Sequence, residues 1–243
     1  LHRVDRRQRQ MCIRDRMTTA TATKISKETL EILKNFSSIN SNILVNPGST
    51  LTTVSPVKNV MAEATVPESF DSEFGIWDLN KFLGTISLFD SPEFEFNDNF
   101  VKISSGSTEV VYYYCEPKLL TTVSKKITMP DSVLDFTLKQ SDLLELQKAA
   151  SVMQLPDMVV RSNGSDVELA VLDKKDSTSN TYSIGVDVTT DAEFDFYFKV
   201  ENLKMIGGDY DVTISEKKIS QLSNTNGKVK YWIALETDST YNG

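Results

Sequence analysis

The stretch SKETLEILKNFSSI, residues 26–39, decides how the chain is to be read. Ser26 suits a helix N-cap, because its short side chain can accept a hydrogen bond from a first-turn N–H, and no Gly or Pro interrupts residues 27–38. Leu30, Leu33 and Phe36 fall on one face of such a helix, with Ile32 and Ile39 beside them. Lys27, Glu31, Lys34, Asn35 and Ser38 fall on the other. The expectation is an amphipathic helix followed at once by an apolar strand, Ile43-Leu44-Val45.

The same arrangement recurs further along. Ser141 is placed to cap a helix running through Leu143, Leu144, Leu146, Ala150 and Met153, and Met158-Val159-Val160 follows it. Ser26 to Ile43 is 17 residues, and so is Ser141 to Met158. Each half holds a second short helical candidate, residues 78–83 in the first and 201–206 in the second. The offset between halves is 115 residues from Ser26 to Ser141 and 123 from Asp78 to Glu201. Two pairings in the same order point to two related domains of similar size.

The remainder reads as strand. Phe94 and Phe96, and Phe194, Phe196 and Phe198, alternate with polar residues, and residues 110–114, 167–172, 210–214 and 229–235 are β-branched or aromatic runs. Asn163-Gly164 and Asn226-Gly227 are hairpin-type turns, and Gly207-Gly208 separates a helix candidate from a strand. Residues 116–131, with Pro117, Pro130 and Lys125-Lys126, read as a connector. The expected class is α+β: antiparallel sheet with two short amphipathic helices per half packed on one side. The expected organisation is an extension at 1–16, a first domain at 17–115, the connector at 116–131 and a second domain at 132–243.

Composition sets the extension apart. The chain has 243 residues and a formal net charge of -8. Six of its seven arginines lie in residues 1–16, together with His2 and Cys12. This segment reads either as a non-native or disordered extension, with Met17 opening the native chain, or as a basic arm for nucleic acid; the first reading is the expected one. From Met17 onward one arginine (Arg161) and 19 lysines face 32 acidic residues, a formal net charge of -12. No apolar run is long enough to span a membrane, no secretory h-region is visible, and Cys115 is the one cysteine after Met17, which fits a reducing cytoplasm.

Much chemistry is excluded. No histidine follows Met17, so Ser-His-Asp and Cys-His systems and the usual zinc and non-haem iron sites are not expected, and no cofactor motif is present. Cys115 sits in an aromatic run and reads as a structural thiol rather than a nucleophile. Asp71, Glu73, Asp78, Glu93 and Glu95 offer carboxylates that a hidden acid/base pair would need, but nothing singles out a pair, and the expectation is a non-enzyme. Trp77 and Trp232 read either as base-stacking platforms or as core or domain-edge packing, the latter being preferred.

Three stretches carry a resemblance. TLEILKNFSSINS (residues 29–41), WDLNKFLG (77–84) and IALETDST (233–240) resemble, in order and at similar spacing, the first helix, second helix and C-terminal tail of the sliding clamp of T-even-type bacteriophages, the processivity factor of the phage DNA polymerase. The likeness runs from Met17 to Gly243 and is weaker over residues 116–131 and 172–191. It implies a DNA clamp fold: a homotrimeric ring of two-domain subunits, with helices around a central hole and sheets outside. It also implies sequence-independent binding of double-stranded DNA, the phage polymerase and a clamp loader ATPase as partners, and the cytoplasm of an infected bacterium as location. The lysines on the polar helix faces, Lys27, Lys34, Lys81, Lys148 and Lys204, become the candidates for facing DNA, against the alternative of ordinary solvated lysines; Glu31 and Glu145 share those faces. Clamp partners insert an apolar peptide near the domain junction, and Leu119, Leu120 and Met129 are the candidates to border that pocket. The competing function is a duplicated β-rich virion or scaffold protein, with lysines scattered rather than gathered on helices.

Overall fold

The computed structural model describes residues 23–123 and 126–243; the expected extension at 1–16 and Lys125 lie outside the described residues. The first half runs α1 (Lys27–Ile39), β1 (Ile43–Val45), β2 (Gly48–Val54), β3 (Val60–Phe70), β4 (Phe74–Ile76), α2 (Leu79–Ile86), β5 (Glu93–Phe96), β6 (Phe100–Ser105) and β7 (Thr108–Tyr113). The second runs β8 (Leu134–Leu138), α3 (Gln140–Met153), β9 (Asp157–Asn163), β10 (Asp166–Leu172), β11 (Tyr182–Thr189), β12 (Glu193–Lys199), β13 (Tyr210–Ser215), β14 (Ile219–Asn224), β15 (Val229–Ala234) and β16 (Thr240–Asn242). The described part of residues 116–131 holds one 3-10 turn, Pro117–Leu119, and is otherwise irregular.

All strand pairing within the sheets is antiparallel. One sheet has the order β2-β3-β15-β14-β13-β8 and so takes strands from both halves, joined where Val60–Ala64 of β3 meets Val229–Ile233 of β15. The others are β5-β6-β7, β11-β10-β9-β12-β16 and the pair β1-β4. Helices α1 and α2 lie side by side, with α1 on β2 and β3, while α3 lies on β10 and β11. Thr29, Ile32, Leu33 and Phe36 form the buried face of α1, and Leu143, Leu146 and Ala150 that of α3.

Each helix start has a distinct cap. At α1 the Ser26 hydroxyl accepts from the Thr29 N–H at 3.2 Å, as expected. Glu68, on β3, adds a second anchor, its carboxylate accepting from the Ser26 N–H and the Thr29 hydroxyl. Partial burial pushes the Glu68 pKa up, but those hydrogen bonds outweigh it and hold the carboxyl below its ordinary value. Asp78 caps α2 by accepting from the Lys81 N–H at 2.9 Å. The expected Ser141 cap is replaced: α3 begins at Gln140, whose N–H donates to the Asp209 carboxylate at 2.8 Å, and the Ser141 hydroxyl turns to Asp142. A long-range acceptor thus supplies what the local serine was expected to supply.

The second helix expected in the second half, residues 201–206, is a single 3-10 turn, Val200–Asn202, followed by irregular chain. Lys199 in the cap position provides no side-chain cap, Val200 and Asn202 are weak helix formers, and Gly207-Gly208 ends the segment. Gly208 sits at φ +137, and a Cβ there would lie 2.6 Å from the Asn224 amide nitrogen. The Asn163-Gly164 and Asn226-Gly227 turns fall between β9 and β10 and between β14 and β15. The two tryptophans part ways: Trp232 is buried, but Trp77 is 59% exposed and does not pack in the core. Among the described residues no helix is long and apolar enough to cross a membrane.

Because the Glu68 pKa is depressed on folding, its stabilising effect is present above its unfolded value and is lost as pH falls through the folded value. Glu68→Gln is expected to cost about 1 kcal/mol at pH 7. The gap to the wild type should narrow as pH falls below the ordinary glutamate range and close below the lowered folded value. Urea melts at pH 7 and in the acid range check both; an equal cost at both pH values would contradict the ionised cap.

Candidate functional site

The helices and the irregular segment 200–206 form one continuous surface. On one side of that segment, Asn35 of α1 donates through Nδ2 to the Lys204 carbonyl at 2.9 Å; on the other, Gln147 of α3 donates through Nε2 to the Leu203 carbonyl at 2.8 Å. The order across the surface is therefore α2, α1, the segment, α3. Lys27, Lys34, Lys81, Lys148 and Lys204 are all exposed on these elements. Among the described residues none of the five forms an ion pair, which is equally true of Lys58, Lys126, Lys139, Lys175, Lys217, Lys218 and Lys230, whereas Lys24, Lys102, Lys118, Lys174, Lys199 and Lys228 each do. Glu145, which shares the α3 face, is occupied by the Tyr182 hydroxyl of β11. Lys27 and Lys34 border a groove of about 640 Å³ between α1 and α2, floored by Leu30, Leu83, Ile86 and Phe89.

A second feature lies on the opposite face of the shared sheet. Val54, Met61 and Trp232 form a small apolar cluster of their own, covered by Val123, Ile127 and Met129 from the connector and by Ile219. The cleft beside them measures about 170 Å³. Trp232 presents its ring to it while its indole N–H donates to Gln221 Oε1 at 3.0 Å, so the floor carries no unmet donor. Of the three residues expected to border a partner pocket, Met129 packs against this cluster. Leu119 is 59% exposed, and Leu120 is buried elsewhere, against Gly75 and Cys115. A Cβ at Gly75 would lie 2.9 Å from the Cys115 carbonyl oxygen, a backbone atom, and 2.8 Å from Leu120 Cδ1, so glycine is what lets both come this close. Val54, Met61, Val123 and Ile127 escaped the sequence reading, which had assigned Trp232 to core or domain-edge packing but not to this cleft. The available signal was the spacing of Val123, Ile127 and Met129, all at odd positions as an extended chain laying one face on a surface requires.

Among the described residues β7 and β11 are two of the eight strands that end the four sheets. β7 pairs only with β6, and β11 only with β10. Exposed apolar side chains mark both ends: Val111 and Tyr113 on β7, and Leu144 and Val152 on α3, which covers β11. The expected strand at 110–114 is therefore formed, but as an exposed edge.

The comparisons agree with this geometry. Residues 26–129 match the family described as DNA polymerase processivity factor, and residues 135–237 the family described as gp45 sliding clamp, C terminal. The sliding clamp of Vibrio phage KVP40 is 32% identical over 220 residues, covering 88% of this chain and 99% of that one. That of Enterobacteria phage T4 is 27% identical over 225 residues, covering 90% and 99%. Among solved structures, A. fulgidus PCNA bound to the C-terminal region of FEN-1 aligns with a TM-score of 0.67 at 15% identity, over 90% of this chain and 99% of that one. The Helicobacter pylori beta clamp bound to a DNA ligase peptide aligns at 0.66 and 13% identity, over 89% and 65%. Those structures establish the DNA clamp fold, and the phage relatives, matched over nearly their whole length, establish more: the chain belongs to the phage sliding-clamp family of DNA polymerase processivity factors.

Proposed function

We propose that the chain is one subunit of a homotrimeric ring that encircles duplex DNA and tethers the phage DNA polymerase during replication in the infected bacterial cytoplasm. The observation that carries it is the set of exposed lysines on the helix surface of an otherwise acidic chain. A tether must attract DNA without stopping on it. Base-edge hydrogen bonds would favour particular sequences. Ammonium groups meeting phosphates give attraction with little positional preference, and lysine, a hydrated point charge, suits this better than the bidentate fork of arginine. Acidic residues on the remaining surface keep DNA from the outside.

Ring closure can use two of the sheet-end strands, β7 and β11. β7 of one subunit and β11 of the next are different surfaces, and their union is a head-to-tail contact that closes if each subunit turns the chain by a third of a circle. Val111 and Tyr113 would meet the side of α3 that carries Leu144. The proposed domains are 17–115 and 132–243, joined by the connector 116–131. The Trp232 cleft beneath that connector is the proposed docking point for an apolar segment of the polymerase and, in turn, of the clamp loader ATPase.

Three experiments test this. Reversing Lys34, Lys81, Lys148 and Lys204 to glutamate is expected to leave the oligomer intact and to shorten polymerase products on primed circular DNA at least about tenfold at moderate salt; undiminished product length would remove these lysines from the DNA role. The chain is expected to show three subunit masses by light scattering, and Tyr113→Asp to shift it to the monomer, because a charge on the edge is desolvated by pairing. A wild-type monomer at every concentration would sink the ring. Ile127→Asp at the cleft is expected to weaken polymerase capture by about tenfold or more while ring mass and retention on DNA are unchanged; full stimulation of synthesis by this variant would place the docking point elsewhere.

A further inference from the structure

We infer that Asn35 is a positioning residue, which, together with Gln147, holds the Lys204 backbone so that the Lys204 ammonium stands in line with Lys34 on the DNA-facing surface; this rests on the ring reading above.

The need for such a device follows from the asymmetry between the halves. Lys81 rides on α2, a helix whose own backbone hydrogen bonds hold its shape. Lys204 rides on a segment with almost none: Leu203 N–H returns to the Val200 carbonyl, Met205 N–H to the Leu203 carbonyl, and no further helical ladder forms. Its backbone groups are instead met by side chains from four other elements. Gln147 of α3 reaches the Leu203 carbonyl at 2.8 Å, and Asn35 of α1 the Lys204 carbonyl at 2.9 Å. Tyr210 of β13 donates to the Ile206 carbonyl at 2.5 Å, and the Ile206 N–H donates to the Tyr231 hydroxyl at 3.1 Å.

Asn35 is the member of this set that sees the lysine itself. A carbonyl can only accept, so the group facing Lys204 must be the amide NH₂, and the amide oxygen is left to accept the Tyr231 hydroxyl proton at 2.8 Å. Both ends of the amide are thus committed, and its orientation is determined rather than free. Tyr231 is fully buried and uses its hydroxyl twice, giving to Asn35 and receiving from Ile206. The chain of contacts runs from the shared sheet through Tyr231 and Asn35 to Lys204. Asn35 is also the immediate neighbour of Lys34, so this tie fixes the spacing of the Lys34 and Lys204 backbones, which come from different halves of the chain. The Asn35–Lys204 bond is at the surface, so removing its donor leaves a carbonyl that water can reach rather than a buried orphan.

The test uses the trimer threaded onto linear duplex whose ends are then blocked, with lysine acylation footprinting read by mass spectrometry. In the wild type, DNA is expected to protect both Lys34 and Lys204. Asn35→Asp keeps an acceptor for Tyr231 but replaces the donor to Lys204 with a carboxylate oxygen and adds a negative charge beside Lys34; it is expected to cut Lys204 protection at least about threefold with oligomer mass unchanged, and the uncharged change at Gln147, which should leave Lys34 protection intact, separates positioning from that charge. Gln147→Ala, acting from α3, is expected to have the same effect on Lys204 and serves as the second variant if Asn35→Asp is poorly folded. Undiminished Lys204 protection in both variants overturns the positioning role. So does an unprotected Lys204 in the wild type; in that case retention on blocked duplex, with release after cutting, shows separately whether the ring reading stands.

Discussion

The pairing of β3 with β15 is the constraint from which the remaining architecture follows. It is a short antiparallel ladder, Val60 to Ala64 against Ile233 to Val229, yet it is where the two halves become one sheet. Its period of two sorts neighbouring residues to opposite faces. Val60, Ala62, Ala64, Tyr231 and Ile233 join the main core beneath the helices. Met61 and Trp232, directly opposite each other in the ladder, face the connector. Tyr231 and Trp232 are adjacent in sequence, and one braces the helix surface through Asn35 while the other floors the cleft. A slip of one residue would exchange them, putting the indole under α1 and the phenol under the connector. The proposed DNA-facing and partner-facing surfaces are thus two sides of a single register.

That economy explains what was legible beforehand. The α1 helix, the Ile43 strand and the phenylalanine alternation are local patterns, and the chain adopts them, because amphipathic spacing and Ser26 capping agree with the tertiary packing. The features that escaped are those in which a distant group does the local work. Asp209 replaces Ser141 at the start of α3, and Glu68 reinforces Ser26, from 69 and 42 residues away. Nothing within residues 200–206 announces that their carbonyls will be met by Asn35, Gln147 and Tyr210 rather than by a helix. Leu120 looked like a pocket residue by its place in the connector, and only the bare backbone at Gly75 shows why it turns inward. Lys27, Lys34, Lys81 and Lys148 are exposed as a matter of helical phase, whereas Lys204 is exposed on irregular chain that the sequence pattern had read as helix.

The two halves have diverged in how they present charge. The first half carries its cations on two helices packed together, a rigid pair whose capping groups, Ser26 and Asp78, are local. The second half carries Lys148 on a helix and Lys204 on chain shaped by side chains. Helical backbone is self-sufficient in hydrogen bonds, whereas an irregular segment depends on its surroundings for each carbonyl. Lys204 is therefore the cation whose position depends most on residues remote in sequence, and the dependence crosses from the second half into α1 of the first.

Leaving these lysines unpaired has an energetic logic. An exposed ion pair contributes little to stability, so the fold loses almost nothing when these lysines stay unpaired, even with Glu31 and Glu145 on the same faces. A lysine already bound to a carboxylate would have to give it up to meet a phosphate, and the exchange would weaken the attraction to DNA. The chain instead spends its carboxylates where they organise structure: Asp157 holds Lys199, Glu236 and Asp238 hold Lys174, and Glu145 takes the Tyr182 hydroxyl at the side of α3. Tyr182 lies on the open strand β11, so the carboxylate that shares the α3 face with Lys148 is drawn toward the sheet edge and away from the cation row. The charge pattern of the helix surface is in this way coupled to the edge that closes the proposed ring.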